Sequence, residues 1–339
     1  MADPQRNQGE AEIIQTYFAP LTVGAPGAFG LTDDCASLTP PAGMDLVLST
    51  DAVISGVHFL AHEDPTAIAW KVLGANVSDI VAKGARPHVY LMNLSLPSAP
   101  TKTWLEAFST GLSSAQTHFQ CSLTGGDTDK TTGPLAVSVT LVGLVPRGQM
   151  IRRGTAQAGD VVFVTGPIGD AMLGLRLAQN GGAEFARSVG LSRIQSESLE
   201  EKYRRPQPNL AVADLLVGRA SAAMDISDGL IRDFGRMCAA SGCGGQLDLR
   251  QMPVSGAAQA VLGSGAATLV DLATGGEDYV VLGCVREDGF SELAALGDAI
   301  GMPIVHVGRM QIESKGIQVL DETGQLISVA RTGWDHFAE

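Results

Sequence analysis

The sequence predicts a mixed α/β (α+β) protein, and three observations lead to that fold class. The chain has 339 residues, more than one ordinary hydrophobic core supports. Strand-like apolar segments at 46–54 and 134–145 alternate with segments of helical periodicity at 66–84 and 101–118. Beyond them, DVVFVTGPIGDAMLGLRLA reads as a strand, a glycine turn and a helix, which opens a second α/β unit.

The individual elements follow from local patterns. The first helix carries Trp70, Leu73, Val77 and Ile80 at three-to-four spacing. The strand VYLMNLSL follows it, and FQCSLTGGD reads as a strand that runs into a glycine-rich turn. After the connector RRPQPN come MDISDGL leading into a helix at 228–241, LATGGEDYVVLGCV as a turn and strand, and a final helix, strand and hairpin.

The domain boundary is predicted in the basic, turn-rich segment PRGQMIRRG, residues 146–154. This boundary gives an N-terminal domain at 1–147 and a C-terminal α/β domain at 148–339. Both halves pair acidic loops with βα units, so we expect the C-terminal domain to complete an active-site cleft.

The composition excludes several classes of partner. A net charge of −13 and a pI near 4.9 argue against a nucleic-acid partner, which would require a basic face. The five cysteines form no CxxC pair, which is typical of reduced thiols that fill a core. The polar start MADPQRNQGE does not resemble a signal peptide, and we find no apolar run of the about 18–20 residues that a membrane helix needs. We expect a cytoplasmic protein without a membrane partner.

Six acidic segments at inferred strand ends and helix starts are the candidate site. They are LTDDCA (31–36), STDAV (49–53), NVSDI (76–80), TGGDTD (124–129), MDISDG (224–229) and GGEDY (275–279). Hard divalent cations bind several oxygens from carboxylates, hydroxyls and water. If folding brings these segments together, they form a site for such cations.

Each segment also has a purely structural explanation. Asp33 and Asp34 fit an Asx turn, and Asp79 fits an i,i+4 pair with Lys83. Either acid of MDISDG fits the N-cap of the following helix, and the acids of TGGDTD and GGEDY fit a turn and a strand terminus.

Several catalytic motifs are missing from the sequence. There is no GxxxxGK[ST], no GxGxxG that opens a βα unit, no HExxH and no GxSxG. The HxxxH in HFLAH alone is weak support for zinc. Covalent nucleophilic catalysis and P-loop chemistry are therefore poorly supported.

Seven motifs in order carry a resemblance to a known family: LTDDCASL, STDAVISGVHF, KVLGANVSDIVAKGA, LTGGDTD, MDISDGL, GGEDY and GWDHF. They resemble thiamine-monophosphate kinase, a family of the aminoimidazole ribonucleotide synthase superfamily, over nearly the whole chain. The resemblance implies that superfamily's two-domain fold, with an N-terminal mixed sheet and helices, and a homodimer formed through the N-terminal sheets. It also implies transfer of the ATP γ-phosphoryl group to thiamine monophosphate, with several Mg²⁺ ions, to give thiamine diphosphate.

The resemblance also implies roles for individual residues. The metal ligands would be Asp34, Ser49, Thr50, Asp51, Asp79, Asp127, Asp225 and Asp228. The ATP contacts would be Gly126, Asp127, Arg153 and Ser227, and the thiamine contacts would be His58, Glu277 and Trp334. The residues that carry the transfer itself would be Asp79, Asp127, Asp225 and Arg153.

The sequence departs from the family pattern at three places, and one family position has two candidates. Leu31-Thr32 replaces the usual Ile-Gly before the DD pair, and Thr128-Asp129-Lys130 replaces Thr-Thr-Arg after GGD. Ser109 stands where the family has a nucleotide-contacting tyrosine, with the neighbouring Phe108 as a substitute. Arg152 adjoins Arg153 and is an alternative to it.

The implied chemistry suits these residue types. An acceptor phosphate has a second pKa of about 6, so it needs no strong base at neutral pH, and metal ions offset the repulsion of two polyanions. An indole at Trp334 would hold the cationic thiazolium, unless it only anchors the C-terminus, and His58 would contact the acceptor unless it only completes a turn. The alternatives are another activity of the superfamily and a catalytically silent nucleotide- or metal-binding protein.

Overall fold

The computed structural model of the chain describes residues 9–337, which fall into two compact units. The N-terminal unit runs to Ile80 and from Ala85 to Gly148. The C-terminal unit takes Val81–Gly84 and the residues from Gln149 onwards. Among the described residues, we find no helix that is both long and apolar enough to span a membrane.

The N-terminal unit is built, within the described residues, on a four-stranded mixed sheet in the order β1-β4-β2-β3. Its strands are β1 Met44–Ile54, β2 Arg86–Leu96, β3 Ser122–Lys130 and β4 Ala136–Pro146, and its helices are α1 Glu10–Ile13, α2 Pro65–Ala82 and α3 Lys102–Phe119. Strand β4 pairs antiparallel with β1 and β2, whereas β2 and β3 are parallel. The predicted mixed sheet with helices is thereby confirmed.

The two long helices of this unit differ in burial. The hydroxyl of Thr101 caps α3 by accepting from the Trp104 N–H, and the helix buries one face that includes Leu105, Leu112 and Phe119. Helix α2 is buried almost all round, and its buried residues include Asn76. Because buried polar groups need partners, the polar side chains of α2 mark contacts with neighbouring elements.

The C-terminal unit contains, in the described part of the chain, a seven-stranded sheet in the order β11-β10-β7-β9-β5-β8-β6. Its strands are β5 Val161–Val164, β6 Ala222–Asp225, β7 Cys243–Asp248, β8 Val281–Val285, β9 Val305–Ile312, β10 Ile317–Leu320 and β11 Leu326–Ile327. Its helices are α4 Asp170–Ala178, α5 Gly182–Ser188, α6 Arg193–Arg204, α7 Ala211–Leu216, α8 Leu230–Ser241, α9 Gly256–Gly263, α10 Leu269–Thr274 and α11 Phe290–Ala299.

One hydrophobic core joins the sheet of this unit to its helices. Leu173, Phe234 and Leu282 are fully buried in it. Cys238 and Cys284 belong to the same core, and burial raises the pKa of Cys238 to about 12, so that thiol stays protonated. The prediction that cysteines fill the core holds for these two.

Three local predictions from the sequence are wrong. The strand predicted at 46–54 is β1, but the placement of the Ser49–Asp51 triplet at a strand end is wrong, because the strand continues to Ile54 and stays paired with β4 over its whole length. The Gly-Gly-Asp segment is part of β3 and not a turn, because it pairs in parallel with β2 as far as Lys130. Helix α8 begins at Leu230 with Gly229 at its N-cap, so neither acid of MDISDG has the predicted N-cap position.

Candidate active site

The first group of candidate residues lies where β1 meets α2, and we call Ser49, Asp51, Asn76 and Asp79 the N-terminal cluster. Ser49 and Asp51 lie on the same face of β1 as the buried Val47, because every second residue of a strand points to the same side. The Ser49 hydroxyl donates a hydrogen bond to Oδ2 of Asp79. The Asp51 N–H donates to Oδ1 of Asn76 over 3.0 Å. One face of a helix therefore binds two alternate residues of a strand.

Thr50 is not part of this arrangement. Because side chains alternate along a strand, its hydroxyl projects to the opposite face of the sheet. There it donates to the Val139 carbonyl over 3.1 Å and accepts from the Thr140 hydroxyl over 3.0 Å. The structure therefore separates the Thr50 hydroxyl from Ser49 and Asp51. A metal role for Thr50 would need its backbone carbonyl.

Asp127 and Gly126 lie on β3, at the other edge of the same sheet. The register aligns Asp51 with Val139, Val139 with Met92 and Met92 with Gly126. Three strand spacings separate the Asp51 and Gly126 backbones, or about 14 Å. A Cβ at Gly126 would lie 1.8 Å from the Met92 carbonyl oxygen, so this position requires glycine for packing alone.

The other two candidate metal-binding aspartates of this unit, Asp127 and Asp34, are on its surface. Asp127 is exposed, and its carboxylate accepts from the Thr128 N–H over 2.8 Å. Asp34 is also exposed, and Asp33 beside it accepts from the Cys35 N–H over 3.3 Å, which is the Asx-turn alternative. Within residues 9–337, no three His, Cys, Asp or Glu side chains are grouped to hold a metal ion.

His58 and the aromatic residues of α3 have local contacts. The His58 Nδ1 accepts from the Ile54 N–H over 3.1 Å, which places the proton of a neutral ring on Nε2 and supports the turn role. Phe108 is fully buried and stacked on Trp104 at a ring-centroid distance of 4.9 Å. Phe108 therefore cannot replace a nucleotide-contacting tyrosine, and that alternative is wrong. The Ser109 hydroxyl donates to the Glu106 carbonyl.

The second group, which we call the C-terminal cluster, consists of Asp225, Ser227, Asp228, Glu277 and Trp334. Asp225 is buried at the end of β6, and the loop after it leads into α8. The Ser227 carbonyl accepts from the Glu277 N–H over 2.8 Å, and the Asp228 carbonyl accepts from the Trp334 N–H over 2.9 Å. Backbone hydrogen bonds thus bring three motifs together that are far apart in the sequence.

The charge of Asp228 is compensated by arginines. Its Oδ2 forms an ion pair with Arg236 and lies 3.9 Å from Nε of Arg232. Arg236 also donates to Asp233 over 2.8 Å. Burial raises the pKa of Asp233 to about 6, against the lowering effect of the hydrogen bond from the Asp228 N–H. The sequence reasoning missed Asp233, although an acid in the first turn of a helix is a recognisable signal.

Asp278 is a second acid with a structural role, and the sequence pattern assigned it only to a strand terminus. Both of its oxygens accept from the Gly169 N–H, over 2.9 and 3.0 Å. Burial raises its pKa well above the ordinary value, and the neighbouring Asp170 raises it further. The GGEDY loop is therefore tied to the glycine turn before α4, which explains why a carboxyl group follows Glu277.

Trp334 and Arg153 are both accessible to ligands. The Trp334 side chain is 44% exposed, so its core-anchoring alternative is wrong. The Arg331 guanidinium lies over the Trp334 ring, 5.7 Å from its centroid, which is within cation–π range. Arg152 and Arg153 are both exposed, and the Arg153 carbonyl accepts from the Ser241 hydroxyl.

Comparison with known proteins identifies the family. Residues 32–145 match the family described as AIR synthase related protein, N-terminal domain, and residues 157–319 match its C-terminal domain counterpart. Thiamine-monophosphate kinase of Caulobacter vibrioides is 37% identical, over 96% of this chain and 90% of that protein. The Salmonella typhimurium enzyme of the same name is 35% identical, over 97% of this chain and 98% of that protein.

Solved structures give the same result. The crystal structure of thiamine-monophosphate kinase from Stenotrophomonas maltophilia K279a has a TM-score of 0.79 at 34% identity, over 92% of this chain and 98% of that one. AaThiL complexed with AMPPCP and TMP has a TM-score of 0.74 at 29% identity, over 92% of this chain and 97% of that one. The predicted family and fold class are confirmed: the chain belongs to the thiamine-monophosphate kinase family.

Proposed function

We propose that the chain catalyses ATP-dependent phosphorylation of thiamine monophosphate to thiamine diphosphate, by direct in-line transfer assisted by several Mg²⁺ ions. The observation that carries this proposal is the similarity to thiamine-monophosphate kinases over nearly the whole length of both chains. AaThiL, one of the similar proteins, was solved as a complex with AMPPCP and TMP. The C-terminal cluster supports it, because three family motifs meet there through backbone hydrogen bonds.

The N-terminal cluster suits Mg²⁺. It offers the carboxylates of Asp51 and Asp79 and the hydroxyl of Ser49, which are hard oxygen donors, and Mg²⁺ keeps several water ligands. We assign these three residues to metal binding, with Asp34, Asp127 and the Thr50 carbonyl as further candidates. When bound, Mg²⁺ would screen the negative charge of the phosphates.

The C-terminal cluster would bind both substrates. Ser227 would contact ATP, and Asp225 and Asp228 would serve its metal ions. Glu277 and the exposed Trp334 would hold the thiamine cation, the indole through a cation–π contact of about 0.5–2 kcal/mol.

The remaining residues would complete the two substrate sites. Gly126, Asp127 and Arg153 would contact the nucleotide, and His58 would contact the acceptor through Nε2. The acceptor phosphate has a second pKa of about 6 and is mostly deprotonated at neutral pH, so in-line attack needs no general base.

The sheet of the N-terminal unit has an apolar face that suits a homodimer. On the face that carries Thr50, Leu48 is 65% exposed, Leu91 41% and Leu46 36%. Exposed apolar side chains on one sheet face are typical of protein interfaces. We include a cytoplasmic homodimer in the proposal, and sedimentation equilibrium of the purified protein tests its oligomeric part.

One assay tests the reaction. Purified protein is incubated with ATP, Mg²⁺ and thiamine monophosphate, and thiamine diphosphate and ADP are measured. We expect equal amounts of the two products, loss of activity in excess EDTA, and recovery when Mg²⁺ is restored. If thiamine diphosphate does not form while another acceptor is phosphorylated, the proposal is wrong. Nucleotide binding without any turnover would instead support the silent-protein alternative.

A further inference from the structure

We propose that Asp233 is a positioning residue that fixes the nucleotide-side and acceptor-side residues of the C-terminal cluster through one short loop. This inference rests on the proposed function and adds a residue that the family motifs did not point to. Asp233 lies in the first turn of α8, and its side chain is completely buried. The hydrogen bonds of this side chain go to the Ser227-Asp228 loop and to Arg236.

The carboxylate holds two successive N–H groups of the loop. Oδ2 of Asp233 accepts from the Ser227 N–H over 3.1 Å and from the Asp228 N–H over 3.0 Å. In a capping box an acid near the helix start accepts from the N-cap N–H. Here Asp233 binds the N–H groups of the two residues that precede the N-cap Gly229. It therefore orients the backbone of the loop and not only the start of the helix.

The carbonyl groups of the same two residues hold the acceptor side. The Ser227 carbonyl accepts from the Glu277 N–H, and the Asp228 carbonyl accepts from the Trp334 N–H. The fit is close, because a Cβ at Gly276 would lie 2.6 Å from the Ser227 oxygen, and one at Gly333 would lie 2.3 Å from the Asp228 oxygen. The Ser227 carbonyl shares a peptide group with the Asp228 N–H that Asp233 binds, and the Asp228 carbonyl belongs to the next peptide group. A shift of this loop would therefore displace Glu277 and Trp334 together.

The charge of Asp233 is essential to this arrangement. Oδ1 accepts from Nη1 of Arg236, which also pairs with Asp228. A buried carboxylate is costly unless it is paired and hydrogen-bonded, and these three contacts meet that requirement. Asparagine has almost the same shape but loses the charge, so it weakens the bonds to both N–H groups and the pairing with Arg236.

A role in folding alone is the competing explanation, and Asp160 provides a matched control. Asp160 is another buried carboxylate of the C-terminal unit, with 4% exposure. It accepts from the Gln157 N–H over 3.0 Å and from the Ser221 hydroxyl over 2.6 Å. Neither partner is a proposed ligand residue. Asp160→Asn therefore tests the loss of a buried charge that does not bind the Ser227-Asp228 loop.

The kinetic test compares the two variants. We expect Asp233→Asn to raise the KM for ATP and the KM for thiamine monophosphate, each on the order of tenfold. The reason is that one loop contains Ser227, on the nucleotide side, and also holds Glu277 and Trp334, on the acceptor side. Asp160→Asn should lower the thermal midpoint and leave both KM values within about twofold of wild type. A folded Asp233→Asn protein with unchanged KM values would overturn the inference.

Two further readouts do not depend on activity. In the full chain labelled with 5-fluorotryptophan, the ¹⁹F resonance of Trp334, assigned with Trp334→Phe, should shift in Asp233→Asn and not in Asp160→Asn. If Asp233→Asn does not fold, hydrogen exchange of the wild-type protein decides. The Ser227, Asp228, Glu277 and Trp334 amides should be protected and exchange together. Unprotected exchange of the Ser227 and Asp228 amides would overturn the inference, whereas a wild-type protein inactive on thiamine monophosphate would contradict only the proposed function.

Discussion

The two candidate clusters are held in place in different ways. In the N-terminal cluster, side chains of a helix bind a strand: Asp79 accepts from the Ser49 hydroxyl, and Asn76 accepts from the Asp51 backbone N–H. In the C-terminal cluster, loops are joined through their backbones, as in the bond between the Trp334 N–H and the Asp228 carbonyl. Regular elements fix single side chains, whereas joined loops place several residues as a set.

The two clusters also differ in how the charges of their carboxylates are compensated. Asp228 is paired with Arg232 and Arg236, so part of its charge is compensated within the protein. Asp79 accepts from a neutral serine hydroxyl. We infer that Asp79 attracts cations more strongly than Asp228 does.

The strongest test of this comparison removes one carboxylate of the N-terminal cluster. We expect Asp79→Asn to lower kcat at least about 1000-fold, because a metal ligand that screens transferring charge is lost. The fold should remain, since asparagine can still accept from Ser49. The measurement is steady-state kinetics with circular dichroism.

A matched control for Asp79 is Glu106→Gln on α3, which removes an exposed acid that pairs only loosely with Lys102, at 3.7 Å. We expect this variant to keep wild-type kcat. Full activity of Asp79→Asn would mean that the carboxylate serves only the contact between α2 and β1.

A smaller effect is expected on the Mg²⁺ requirement, and it should differ between the two faces of β1. Ser49→Ala should raise the Mg²⁺ concentration for half-maximal activity about five- to tenfold, as expected for the loss of one oxygen ligand and one hydrogen bond. Thr50→Val should leave that concentration within about twofold, because the hydroxyl lies on the opposite face. Mg²⁺ titrations of both variants check this, and equal effects would contradict the separation.

The smallest effect concerns the pH dependence of stability that comes from two acids of the C-terminal unit. The pKa of Asp278 lies well above its ordinary 3.8, so the folded state favours the neutral acid. The stability from this group is complete below about pH 4 and is lost as the pH rises through the folded-state pKa. Relative to wild type, Asp278→Asn should therefore gain stability as the pH rises, by up to about 1.4 kcal/mol per pH unit, measured by urea unfolding.

Asp248 supplies a control of opposite sign. Its hydrogen bonds from Arg250 hold its pKa below the ordinary value, so its contribution is present above about pH 4 and is lost as the pH falls. Asp248→Asn should show a constant deficit near neutral pH that disappears in acid. Parallel pH profiles for both variants would contradict the assignment of Asp278.

Much of the fold could be predicted from the sequence, because the long elements have strong periodicity. The helix predicted at 101–118 is α3, Lys102–Phe119, and the strand predicted at 134–145 is β4, Ala136–Pro146. The errors fall where local chemistry and tertiary pairing disagree. Gly-Gly-Asp is good turn chemistry, yet in β3 the pairing with β2 requires a glycine at 126, where a side chain would collide with Met92.

The candidate site could be predicted as a set of residue types but not as a geometry. Motif order gave the family, whereas the side of β1 on which Thr50 lies depends on strand register. Asp233 was missed and Asp278 was assigned only to a strand terminus, because their partners are backbone N–H groups, from the Ser227-Asp228 loop for Asp233 and from Gly169 for Asp278. An acid in the first turn of a helix signals a bond to the N-cap, but the sequence does not show that the bonds of Asp233 reach the loop before it.

The contact between Asn76 and Asp51 has a consequence for solubility. Strand β1 is at the edge of its sheet, and an open edge can recruit strands from other molecules. The Asn76 amide accepts from the Asp51 N–H and donates to the Val72 carbonyl over 2.9 Å, so one N–H of that edge is occupied from within the chain. We therefore expect the helix that presents Asp79 to hinder the pairing of another strand at this position of the edge.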